Sequence, residues 1–70
     1  MTDSIIPEYM SKDWRLMRAR LRDAAVAAEA AAAASTIEEV ARNLGEASIA
    51  LIDADFARRH IERDRERGKG

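Results

Sequence analysis

A short polar segment at residues 35–39 divides a chain that otherwise contains little to interrupt a helix. Two overlapping motifs, Ser35-x-x-Glu38 and Thr36-x-x-Glu39, have the spacing of a capping box. In a capping box a hydroxyl and a carboxylate satisfy backbone N–H groups that the first helical turn leaves free. This segment therefore predicts that one helix ends here and a second begins directly afterwards.

Two helices of similar length follow from that boundary. Ser11 is a suitable N-cap for a first helix, predicted over 11–34, which is rich in the helix former alanine. A second helix is predicted over 37–66, and helices joined by so short a connection pack antiparallel. We therefore expect an all-α fold, an antiparallel two-helix hairpin. Residues 1–10 are predicted to form a flexible arm, and residues 67–70 a disordered tail.

Apolar or small residues recur every three or four positions along both predicted helices, as in a coiled coil. On the first helix this stripe comprises Met10, Trp14, Met17, Leu21, Ala24, Ala28, Ala31 and Ser35. On the second it comprises Ile37, Val40, Leu44, Ala47, Leu51, Ala54, Arg58 and Ile61. We expect the two stripes to face each other, with Asp55 near the seam paired to Arg15 or Arg18.

A single hairpin with this composition has little material for a core. Alanine accounts for 15 of the 33 apolar residues in a chain of 70, and so short a chain buries only about 60% of its unfolded surface. We therefore predict that two hairpins dimerise into a four-helix bundle, with a larger partner protein on the same surface as the alternative. The predicted dimer or core interface comprises Trp14, Met17, Leu21, Leu44, Ile49, Leu51, Ile52 and Phe56.

The ten residues TIEEVARNLG at 36–45 resemble the first helix and turn of the helix-turn-helix family. In that family a second helix follows the glycine and enters the major groove of DNA. The resemblance implies a degenerate motif over 36–57 with a break near Gly45, although Glu46 and Asp53 would face phosphates. The alternatives are a glycine tolerated within one long helix and a break that produces three helices.

Arginine supplies ten of the twelve basic residues, although the formal net charge is only −1. Basic side chains on one helix can grip nucleic-acid phosphates, but five bases in 12–22 also match five acids in 37–55. Charge pairing within the hairpin or between subunits is therefore the favoured role. The candidate contacts for a protein partner or a nucleic acid are Lys12, Arg15, Arg18, Arg22, Arg58 and Arg59.

The residue pattern predicts no enzyme activity, no cofactor and no metal site. The chain has no cysteine and a single histidine, His60, too few ligands for a zinc site. The N-terminal segment lacks the features of a signal peptide, and the alanine-rich run is too short to cross a bilayer, so a cytoplasmic location is expected.

These features together favour a small non-catalytic helical module for protein–protein interaction, acting as a homodimer. An adaptor, an assembly subunit and an inhibitor or regulator of a larger protein all fit this description. The alternative is a nucleic-acid-binding regulator that uses residues 36–57 or the arginine stripe of the first helix.

Overall fold

The computed structural model describes the backbone of residues 7–69 and the side chains of residues 7–67. Within that range the chain forms a 3₁₀ turn, Glu8–Met10, then helix α1, Lys12–Ala33, and helix α2, Ile37–Lys69, with no strand. The two helices pack against each other. The predicted all-α hairpin is thus confirmed.

Side-chain caps determine where both helices begin. The hydroxyl of Ser11 accepts a hydrogen bond of 3.2 Å from the backbone N–H of Trp14, so Ser11 is the N-cap of α1. At α2 the Thr36 hydroxyl accepts from the Glu39 N–H, and the Glu39 carboxylate accepts from the Ser35 N–H, each at 3.2 Å. Of the two predicted capping motifs, the one that starts at Thr36 is therefore formed.

The end of α2 extends further than the sequence indicates. The helix continues to Lys69, three residues past the predicted end at 66. The 3₁₀ turn in the arm lies beside the last turns of α2, because the Glu8 carboxylate is 3.2 Å from the Arg65 guanidinium. Residues 1–6 of the predicted arm and residue 70 of the predicted tail lie outside the described residues.

The contact between α1 and α2 is built almost entirely from alanine. Its positions alternate in steps of three and four, the heptad spacing of a coiled coil. The buried apolar residues among the described side chains, which we call the inner seam, are Ala24, Ala27 and Ala31 of α1 and Ala47, Ala50, Ala54, Ala57 and Ile61 of α2.

The predicted stripes share some positions with the inner seam. At other positions the prediction was wrong, because an adjacent residue of the same helix is the one that points inward. Leu21, Leu44 and Leu51 are exposed, and Ala28 is exposed while Ala27 is buried. The distance between two helix axes depends on the side chains at their contact, so small residues permit the closest approach. Close approach increases dispersion contacts between the backbones, which compensates for the small side chains.

Gly45 lies inside α2 and does not interrupt it. The predicted break and the three-helix alternative are therefore wrong, and the alternative of one long helix is confirmed. A Cβ atom built at Gly45 meets nothing within 4 Å. The glycine therefore does not serve a close approach within this hairpin.

The hairpin is an elongated layer only one helix thick. Its extents are 57 × 20 × 11 Å, and a helix with its side chains is itself about 10–12 Å across. The radius of gyration is 16.3 Å, against about 11 Å for a compact domain of this length. A layer one helix thick has no interior beyond the seam between its two helices.

Candidate interaction surface

One side of the hairpin carries the large apolar side chains that the inner seam excludes. Because α1 and α2 are antiparallel, residues that follow the seam positions on both helices project to the same side. We call this side the apolar face. Its large members are Trp14, Met17 and Leu21 of α1 and Leu44 and Leu51 of α2.

The α2 members of the apolar face are open to solvent. Leu44 is 52% exposed and Leu51 50%, whereas Trp14 and Met17 are half-buried. A contiguous exposed apolar surface of this kind marks an interaction site more often than scattered exposed residues do. Five of the eight predicted interface residues therefore share one surface of the chain.

The other three predicted interface residues lie elsewhere. Ile52 is 66% exposed and points directly away from α1, because it lies midway between the seam residues Ala50 and Ala54. Ile49 and Phe56 are exposed and project further round α2, away from α1. The Phe56 ring meets the His60 ring edge-on, with centroids 5.2 Å apart. A single chain therefore does not bring this pair together with Leu44 and Leu51 on one flat surface.

The α1 part of the apolar face changes in bulk along its length. Trp14, Met17 and Leu21 lie at the open end of the hairpin, and small residues replace them toward the turn. The small members are Ala25, Ala28 and Ala32 of α1 and Ala41 and Ser48 of α2, all exposed. The sequence shows this gradient, but sequence reasoning assigned its small end to the contact between α1 and α2.

A cleft of about 180 Å³ opens on the apolar face between the two helices. Its lining comprises Met17, Leu21, Ala54, Asp55 and Arg58. The apolar part of the lining comes mainly from α1, and the charged part comes from α2. The cleft therefore marks the boundary where the apolar face meets charged side chains.

The charged side of this cleft is an ion-pair cluster within α2. The Asp55 carboxylate accepts hydrogen bonds from Arg58 Nε at 2.7 Å and Arg59 Nε at 3.1 Å. Arg58 Nη1 also donates to Glu62 at 2.8 Å. The hydrogen bond from Arg58 holds the pKa of Asp55 below its ordinary value, and the bond to Asp55 raises the pKa of Arg58.

The predicted pairing of Asp55 with Arg15 or Arg18 was wrong. Arginines three and four residues later on the same helix reach the Asp55 carboxylate without crossing the seam. The ion pair that does join the two helices is Arg20 to Asp53, at 3.6 Å. Sequence reasoning missed Arg20, although its spacing of four residues before Ala24 places it beside the inner seam.

The side of the hairpin opposite the apolar face mixes charged and apolar side chains. Arg20 contacts Asp23 at 3.0 Å as well as Asp53, and a shallow cleft there is lined by Val26 together with Asn43 and Glu46. Val26 and Leu16 of α1 are both exposed. On the apolar face, by contrast, leucines of both helices lie next to the seam.

Comparison with protein-family models, curated protein sequences and solved structures finds no match for this chain. Within residues 7–69 no helix is both long and apolar enough to cross a membrane. No group of three metal-binding side chains occurs in the same part of the chain.

The predicted basic contacts divide into two groups. Arg58 and Arg59 are engaged with Asp55, whereas Lys12, Arg15 and Arg22 form no ion pair with another described residue. At the open end the Arg18 guanidinium lies over the rings of Tyr9 and Trp14, 5.9 and 5.5 Å from their centroids. The basic stripe of α1 is therefore largely available at the surface.

Proposed function

We propose that this protein is a non-catalytic protein–protein interaction module that works as a homodimer, with the apolar face as the contact between copies. The observation that carries the proposal is an inversion of the usual burial pattern. Alanines form the inner seam, while Leu21, Leu44 and Leu51 remain in water on one side. A second hairpin stacked on that side completes a four-helix bundle.

The area of the apolar face suits a stable dimer. The 22 residues of α1 extend about 33 Å, and the hairpin is 20 Å wide. Stacking two such faces covers roughly 650 Å² of each copy, close to the ~800 Å² per partner of a typical stable interface. The whole chain exposes 5575 Å², whereas a compact monomer of its mass exposes about 4,400 Å².

Burial of the apolar face also supplies the stability that a single hairpin lacks. Full burial of a leucine or isoleucine side chain contributes about 1.5–3 kcal/mol. The half-exposed residues of this face would gain much of that on dimerisation. Ile49 and Phe56 remain outside the stacked faces and provide a contact for a larger protein, which suits an adaptor, assembly subunit or inhibitor.

Nucleic-acid binding is the second candidate function. Lys12, Arg15 and Arg22 have no ionic partner among the described residues, which favours contact with phosphates. The helix-turn-helix route lacks its turn, because residues 37–69 form one continuous helix. A nucleic-acid complex would therefore depend on the α1 stripe alone.

A matched pair of substitutions tests the homodimer. Leu51 and Leu16 are exposed to nearly the same degree, 50% and 47%, but only Leu51 lies on the apolar face. We expect light scattering to give twice the chain mass for the unaltered protein and for Leu16→Asp. Leu51→Asp should dissociate the dimer and lose most of its helical circular dichroism signal, because the single hairpin has so small a core.

A strict monomer at micromolar concentration, or equal behaviour of the two variants, would contradict the homodimer. Nucleic-acid binding predicts a gel shift at low salt that weakens steeply as salt rises and is reduced by Arg15→Ala. Absence of a shift at low salt would exclude the second candidate.

A further inference from the structure

We propose that the two hairpins of the dimer stack with their turns at opposite ends of the bundle. This proposal rests on the proposed homodimer and adds its geometry. A twofold axis between stacked faces can run along the rod, which places both turns at the same end, or across it, which separates them. Side-chain bulk and charge on the apolar face both distinguish these arrangements.

Ion pairs that join the two helical halves of the chain show which residues lie at the same position along the rod axis, here called the same height. The ion pairs Arg20–Asp53 and Glu8–Arg65 place residues whose numbers sum to 73 at the same height. The midpoint of the apolar face therefore lies near residue 24 on α1 and residue 49 on α2. Each residue's neighbour in a second copy can be read from this register.

With the turns at opposite ends, large side chains meet small ones. α1 then lies over α1 of the second copy with its direction reversed, so Leu21 faces Ala28 and Met17 faces Ala32. Alternating large and small residues across an interface gives the interdigitated packing of protein cores.

With both turns at the same end, large side chains meet large ones in the open half and small ones meet small ones beside the turn. α1 then lies over α2 of the second copy at about equal height, so Leu21 opposes Leu51. Nearer the turn, Ala28 opposes Leu44 and Ala32 opposes Ala41. Such a stack separates the hairpins at the open end and leaves a gap at the turn end, where atoms lose their contacts.

The distribution of charge along the rod also favours turns at opposite ends, independently of side-chain size. The turn half of the rod, residues 23–49, contains one base and five acids, a net charge of −4. The open half, residues 8–22 and 50–67, contains ten bases and seven acids, a net charge of +3. Opposite-end stacking places each positive half against a negative half, whereas same-end stacking places like charges together.

Distance measurements between spin labels test this geometry. The protein has no cysteine, so a single introduced cysteine takes a nitroxide label at one position. Ser35→Cys marks the turn and Lys12→Cys marks the open end, and both positions are exposed. Circular dichroism and light scattering first establish that each labelled variant remains folded and dimeric.

Opposite-end stacking predicts a separation of about 35 Å between the two Ser35→Cys labels and a similar one for Lys12→Cys. A mixture of the two variants should add a short distance of less than about 20 Å, because the turn of one copy lies beside the open end of the other. Distances below about 20 Å in the unmixed samples would overturn opposite-end stacking and leave the homodimer standing. A monomeric mass for the unaltered protein would overturn both proposals.

Discussion

The inner seam and the apolar face occupy neighbouring stripes of the same two helices, yet they use opposite kinds of residue. The seam consists of alanines and Ile61, all buried, and the apolar face carries leucines that are about half exposed. The seam brings two helices together with small side chains, which permit close backbone approach. The apolar face keeps large apolar side chains exposed, and their burial could hold a second hairpin against the first.

This difference shows that residue size here distinguishes two levels of assembly. An alanine side chain adds little transfer free energy on burial, about 0.8 kcal/mol per methyl-sized group, so the seam gives direction and register more than stability. The larger residues stand one position away along each helix. Their exposure in the single chain is therefore what connects the fold to the proposed dimer.

The largest effect is expected from overfilling the inner seam. Ala54 is 4% exposed, so Ala54→Leu should force the helices apart and cost about 1–3 kcal/mol of unfolding free energy. Urea denaturation at fixed protein concentration measures this loss. The same exchange at exposed Ala19 is the control and should leave the midpoint nearly unchanged. Equal midpoints for the two variants would show that the seam is placed incorrectly.

A smaller effect of opposite sign is expected at Gly45, beside the apolar face. Gly45→Ala should stabilise the protein by about 0.5–1 kcal/mol, because alanine loses less backbone entropy in a helix and its Cβ meets nothing within 4 Å. The reverse exchange in the seam, Ala54→Gly, should destabilise by at least as much. A lower urea midpoint for Gly45→Ala would show that another copy fills this space.

The smallest effect is expected from pH at the edge of the apolar face. The pKa of Asp55 is lowered by its hydrogen bond from Arg58, so this ion pair contributes above the ordinary carboxyl pKa and is lost as pH falls through the lowered value. An exposed pair contributes little, so helicity of α2 should decline only slightly. Asp55→Asn should remove that part of the decline between pH 7 and 3. An unchanged profile would exclude a role for the cluster.

Much of the fold could be predicted from local chemistry. The hydroxyl caps at Ser11 and Thr36 bond to backbone N–H groups within the next three residues, so short sequence motifs suffice to locate them. The pairing of Arg58 with Glu62 is equally local. The inner seam could not be located this way, because Ala27 and Ala28 are chemically identical and only packing against α2 distinguishes them.

By itself the sequence determined that this chain makes two helices, where they start, and that they fold back on one another, because caps and alanine content act within a few residues. It also determined that apolar side chains exceed what one hairpin contact needs. Tertiary structure alone decided which residues face inward and that Gly45 stays within a helix. The choice of inward-facing residues depends on how closely the two backbones can approach, which is a property of the pair of helices and not of either segment.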